Sequence, residues 1–168
     1  MTGLTGLAVS YSFIFLRDTL SQADHQKEER RAGLIQIADK FGLEMIYVFG
    51  SEANQVVGWL EGDQLGISVL PQSDVDIGVK PCARRTLSVK ETIDLALVFE
   101  DLFGVNRVDL AVIPEVDPFL GANIIRGERI YCRDEFKADE YELYILRRAG
   151  DLAPLERERI SLIMGEDQ

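Results

Sequence analysis

Cysteine is scarce in this chain, with only Cys82 and Cys132 among 168 residues. Two such residues cannot build a disulfide framework, and their separation does not match metal-ligand spacing, so free thiols in a reducing compartment are expected. Histidine is scarcer still, and the single His25 lies in a charged stretch where a solvated helix position is the simplest reading. Basic residues are outnumbered, 18 Lys and Arg against 29 Asp and Glu, leaving a net charge of −11. That balance argues against a nucleic-acid binder, because phosphate backbones select cations. It suits a basic protein partner, or a site whose carboxylates are offset by metal. Long apolar runs are missing too. The longest, Leu7 to Leu16, has ten residues, about half of what a membrane span requires. No basic residue precedes it and no small-residue cleavage site follows, so neither a membrane anchor nor a secretory signal is expected, and the cytoplasm is the expected location. The run reads as a docking strand or helix turn, and leaves room for a homodimer.

There is no internal repeat, low-complexity tract or linker rich in Pro, Gly or Ser. What the chain does have is alternation of strand and helix signals, which implies one α/β domain over residues 1–168 with a central sheet. Asp18 to Lys40 reads as an amphipathic helix with Leu34, Ile35, Ile37 and Ala38 on its apolar side and Gly42 just beyond. LEMIYVF, 43–49, is rich in β-formers and bounded by glycines, so it reads as a strand. Residues 52–72 contain three glycines, one proline and no Lys or Arg, and are expected to form a loop with room for a short hairpin. SDVDIGV, 73–79, is a second strand that Pro81 should stop. A helix follows over 86–103, then a strand over 106–113, a short helix over 117–126 and a fourth strand over 128–132. The tail from Glu135 is expected to be helical with a break near Gly150 to Pro154. Trp59 is expected to pin the 52–72 segment to the body, and Tyr141 and Tyr144 to serve packing. The arginines at 147, 148, 157 and 159 are expected on a solvated helix surface.

Three aspartates stand out because Asp is depleted in strands. Asp74 and Asp76 are two residues apart and so share one face of their strand, while Asp109 lies between Val108 and Leu110 in another. If those strands are neighbours, Asp109 stands beside Asp76 and three carboxylates share a patch. Two unit charges about 4 Å apart repel by roughly 4 kcal/mol at an effective dielectric near 20. A divalent ion relieves that cost, and Mg²⁺ typically completes its shell with water and substrate phosphates. Two such ions can bind both the attacking and the leaving oxygen at phosphorus. Upstream, Gly50 and Ser51 end the first strand, where a small residue lets backbone N–H groups approach a phosphate and a hydroxyl can donate to it.

Taken together, YVFGS (47–51), SDVDIGV (73–79) and RVDLAVI (107–113) resemble the minimal nucleotidyltransferases of the DNA polymerase β-like superfamily. The stretch 118–132 is similar to that family's short helix and closing strand, so the resemblance covers about residues 30–135, with helical ends over 1–42 and 135–168. It implies a nucleotidyltransferase fold, α/β (α+β), with a mixed sheet of about four strands flanked by helices. It also implies that Gly50, Ser51 and Ser73 contact nucleotide, and that Asp74, Asp76 and Asp109 ligate one or two Mg²⁺ ions. Asp109 would also help activate the attacking hydroxyl. The implied reaction moves AMP from ATP onto a hydroxyl, and many such small enzymes resemble antitoxins that adenylylate a tyrosine of a HEPN-domain toxin. The chain departs from the family pattern between Ser51 and Asp74, where the spacing is longer and basic residues are lacking; Lys80, Arg84 or Arg85 are the candidates to supply that charge. Two other functions remain in view. One is a binding module that has lost turnover and neutralises a partner by docking. The other is a small-molecule nucleotidyltransferase similar to those that modify aminoglycosides, for which the tail is short.

Overall fold

Residues 43–49 and 75–81 are buried at most positions on both faces of their strands, and this pattern decides the layering. The computed structural model describes residues 6–63, 67 and 74–164, with side chains from Asp24 onward. Its elements run α1 (Gly6–Phe41), β1 (Leu43–Phe49), α2 (Ala53–Leu60), β2 (Val75–Pro81), α3 (Val89–Phe103) and β3 (Val108–Val112). A 3-10 turn (Ile113–Glu115) follows, then α4 (Pro118–Ile125), β4 (Glu128–Cys132) and α5 (Glu135–Met164). The four strands form one sheet in the order β3-β2-β1-β4. β1 pairs antiparallel with both β2 and β4, whereas β2 and β3 run parallel. A parallel pair needs a crossover connection, and α3 supplies it. Ser88 starts α3 with a reciprocal capping box to Glu91, and Gly104 closes it in the left-handed conformation.

Both faces of the sheet are covered, which explains why β1 is almost continuously apolar rather than alternating. Ile46 and Val48 of β1, with Val75, Ile77 and Val79 of β2, face a core built with Leu34 and Ile37 of α1, Val56 of α2 and Leu95 and Phe99 of α3. Met45 and Tyr47 point the other way, toward Ile113, Ile124 of α4 and Ala138, Ile145 and Ala149 of α5. The Tyr47 hydroxyl donates to the Glu142 carboxylate at 2.8 Å. Burial, together with that acidic partner, raises its pKa, so it stays protonated. Arg129 of β4 binds Glu135, Asp139 and Glu142 at 2.8–2.9 Å. These contacts fasten the first half of α5 to the sheet.

The structure corrects several expectations. The 52–72 segment contains the helix α2 instead of beginning as a loop. Its buried residues Ala53, Val56, Trp59 and Leu60 recur at helical spacing, but eight residues bounded by glycine give too short a window to read. Trp59 is buried in the core, edge-on to Phe103, and Arg30 of α1 lies 4.4 Å over its ring. Arg30 also donates to the Trp59 carbonyl, and Lys27 and Arg31 pair with Glu61. Trp59 therefore does pin this segment to the body. β2 includes Pro81 as its last residue instead of stopping before it. The helix α1 begins at Gly6, so the backbone of the Leu7–Leu16 run is helical. α5 passes through Gly150 and Pro154 without a break. Both residues are exposed and four apart, so the hydrogen bond that proline removes lies on the solvent side, where water can replace it. His25 is exposed, as expected, and both cysteines are free. Among the described residues no helix is long and apolar enough to cross a membrane.

One position reports how tightly α4 sits on the sheet. A Cβ added at Gly78 of β2 would lie 2.2 Å from Ile124 Cγ2. The branched side chain of Ile124 has little freedom to withdraw. Gly78→Ala is therefore expected to destabilise the protein by about 1–3 kcal/mol, seen as a lower urea midpoint with an unchanged slope. An unmoved midpoint would contradict this packing.

Candidate functional site

Four chain segments reach the same end of the sheet: the close of β1, and the starts of β2, β3 and β4. Strand parity decides which way their side chains point. Val75 and Ile77 enter the core shared with α1 and α3, so Asp74 and Asp76 belong to the opposite face. On β3, Val108 and Val112 join the same core while Ala111 packs with the α4 and α5 side. Asp109 therefore lies on the face shared by Asp76. The parallel register sets Asp76 directly beside Asp109, and the antiparallel register sets Asp76 opposite Phe49, the residue before Gly50. The structure thus brings Asp74, Asp76, Asp109 and Gly50 to one sheet end. Ser73 lies outside the described residues.

Gly50 has φ +76°, and a Cβ built on it would stand 2.2 Å from Asp76 Oδ2. Only glycine accepts both the left-handed backbone and the approach of that carboxylate. Ser51 is exposed, its hydroxyl 3.5 Å from Glu52 Oε1. Glu52 itself is buried, and its other oxygen accepts from Gln55 at 2.5 Å.

Burial raises the Asp76 pKa, and the charges of Asp109 and Asp74 raise it further. One cation is already present. Arg107 reaches Asp74 at 3.2 Å and Asp109 at 3.1 Å, bridging the two strands. Sequence reasoning missed this residue, although its position two before Asp109 on an extended segment puts it on the same face. The cations expected to serve here lie elsewhere, with Arg84 exposed in the turn that follows β2 at its far end. Lys80 is at the far end of β2, paired with Glu44, and Arg85 donates to the Phe41 carbonyl and pairs with Glu91. About 3.3 Å per strand residue separates Lys80 from Asp76 along β2, too far for a shared phosphate.

Among the described residues, no three His, Cys, Asp or Glu side chains converge as a ready-made metal ligand set. Arg107 stands between two of the three aspartates. The donor chemistry nevertheless suits a hard divalent cation: carboxylate oxygens on adjacent strands, in mutual repulsion that a cation relieves.

A family model described as polymerase beta, nucleotidyltransferase matches residues 33–136, from the last turns of α1 to the start of α5. Among solved structures, the chain is similar to one in a mutant form of the MntA–HpeT toxin–antitoxin pair, with 17% sequence identity and a TM-score of 0.61 over 80% of this chain and 98% of that one. It is also similar to a toxin–antitoxin structure with AMP-PNP, at 18% identity and a TM-score of 0.60 over 80% and 98% of the two chains. A third likeness is to the complex of tri-AMPylated Shewanella oneidensis HEPN toxin with MNT antitoxin, at 16% identity and a TM-score of 0.59 over 82% and 98%. At these identities the likeness establishes the fold. No curated protein matches the chain.

Asp76→Asn keeps the side-chain shape and removes one of the clustered charges. Without added metal, at neutral pH, it should raise the melting temperature by about 2–4 °C, the shift for about 1 kcal/mol in a chain of this size. The folded state holds the Asp76 proton more tightly than the unfolded chain does. The carboxylate therefore costs stability above its raised titration range, and the cost fades as pH falls through that range. The gap between variant and parent should narrow on acidification in thermal unfolding; a gap that widens would contradict the clustering.

Proposed function

Because the chain belongs to the polymerase beta nucleotidyltransferase family, as the match over residues 33–136 shows, we propose that it transfers AMP from ATP to a hydroxyl on a partner protein. The preferred acceptor is a tyrosine of a HEPN-type toxin, which would make this chain the antitoxin of the pair. The observation that carries the reading is the register of β2 and β3, with Asp76 beside Asp109 and Gly50 against the Asp76 carboxylate. The toxin–antitoxin complexes that share the fold support the choice of acceptor.

In this reading Asp74, Asp76 and Asp109 hold Mg²⁺, which supplies charge stabilisation at the reacting phosphorus. Backbone N–H groups of the Gly50–Ser51 turn and the Ser51 and Ser73 hydroxyls would donate to the phosphate oxygens. The acceptor hydroxyl attacks the α-phosphorus, and Asp109 takes its proton. The new phosphorus–oxygen bond replaces the one to the β-phosphate, and pyrophosphate leaves. Asp109 is about half exposed, which suits an acceptor arriving from solvent on another protein.

A second reading is favoured by a specific observation: among the described residues no three carboxylates form a ready metal set, and Arg107 already neutralises two of the aspartates. In that case the chain docks on its partner without turnover. Asp76→Ala separates the two, because docking should survive it and transfer should not.

The direct test incubates the full chain with ATP labelled in the α-phosphate, Mg²⁺ and a HEPN-type protein encoded beside it. Label should appear on a tyrosine of that protein. Asp109→Asn should lower the rate by about 100-fold or more, the scale of a lost general base, and Gly50→Ala should abolish transfer by driving the Asp76 carboxylate aside. Absence of label with every nucleoside triphosphate, from a folded chain, refutes the transferase reading.

A further inference from the structure

We propose that Arg107 is a displaceable counter-cation: it bridges Asp74 and Asp109 when the site is free of substrate, yields their oxygens to a divalent ion, and then turns its charge to the nucleotide phosphates. This deepens the transferase reading above and rests on it. The backbone of Arg107 is fixed, since its carbonyl accepts from Val75 N–H at 3.2 Å. The side chain is not, being 63% exposed while reaching Asp74 at 3.2 Å and Asp109 at 3.1 Å.

Exposed ion pairs of this kind are worth little each, about 0–1 kcal/mol. A divalent ion therefore meets a weak competitor. The guanidinium cannot leave by losing its proton, so displacement is its way off these oxygens. Once released it remains within a side chain's length of the site, and its planar fork matches phosphate oxygens. The need for such a charge is plain from the chain, because residues 52–72 carry no Lys or Arg. Lys80 is committed to Glu44, Arg85 to Glu91 and Arg129 to three carboxylates of α5, whereas Arg107 already reaches the aspartates themselves.

The test measures Mn²⁺ binding to the full chain by electron paramagnetic resonance, first without nucleotide and then with ATP. Arg107→Gln should tighten Mn²⁺ binding about threefold to tenfold, the equivalent of the two exposed ion pairs it loses. The same variant should weaken binding of Mn²⁺–ATP about tenfold, with Arg107→Lys between the two because it keeps the charge and loses the fork. Arg126→Gln, at the same sheet end but without an ion pair to these aspartates, should leave Mn²⁺ affinity near that of the parent. Circular dichroism confirms that each variant is folded. Equal or weaker Mn²⁺ binding in Arg107→Gln overturns the proposal and leaves the transferase reading standing. Tightened Mn²⁺ binding with unchanged ATP affinity overturns the phosphate half of it, and no Mn²⁺ bound by either protein overturns both.

Discussion

Two carboxylates on neighbouring parallel strands repel each other, yet the sheet holds Asp76 and Asp109 in register. The restraint comes from residues on the opposite side of the same strands. Val75, Ile77 and Val79 of β2 and Val108 and Val112 of β3 are buried against α1 and α3. Burying an aliphatic side chain contributes about 1.5–3 kcal/mol, so five of them outweigh one repelling pair. A one-residue slip would put every apolar side chain on the wrong face. The apolar pattern thus dictates the acidic one, and the strain falls on the Asp76 carboxyl.

The same logic accounts for how much could be read from residues alone. Strand and helix identity was legible where periodicity was long and glycine or proline marked the ends, as in β1 and α3. The shared face of Asp74 and Asp76 followed from parity, and their nearness to Asp109 required only that β2 and β3 be neighbours. α2 was not legible, because a helix of eight residues with Gly58 inside it looks like a turn until α1 is placed against it. The continuity of α5 was hidden by Pro154, whose missing hydrogen bond costs little on the solvent side.

Arg107 is the most instructive omission. Nothing in the sequence marks one exposed arginine among many, although its alternation with Asp109 was there to be used. Its partner Asp74 comes just before β2, and only the pairing of β2 with β3 makes the bridge visible. Lys80, within the acidic strand, and Arg85, just after it, are claimed by Glu44 and Glu91 at the other end of the sheet. Proximity along the chain misled where strand direction decided.

β1 lies between β2 and β4, and its last neighbour is a late arrival: Val48 pairs with Glu128. During translation, Asp109 leaves the ribosome about 20 residues ahead of β4, an interval of roughly 1–4 s at ordinary elongation rates. Over that interval the acidic end of the sheet can assemble while the most apolar strand still has an open edge, the kind of surface that recruits stray strands. The three aspartates thus emerge before β1 is protected, and slow elongation between β3 and β4 would prolong its exposure to aggregation.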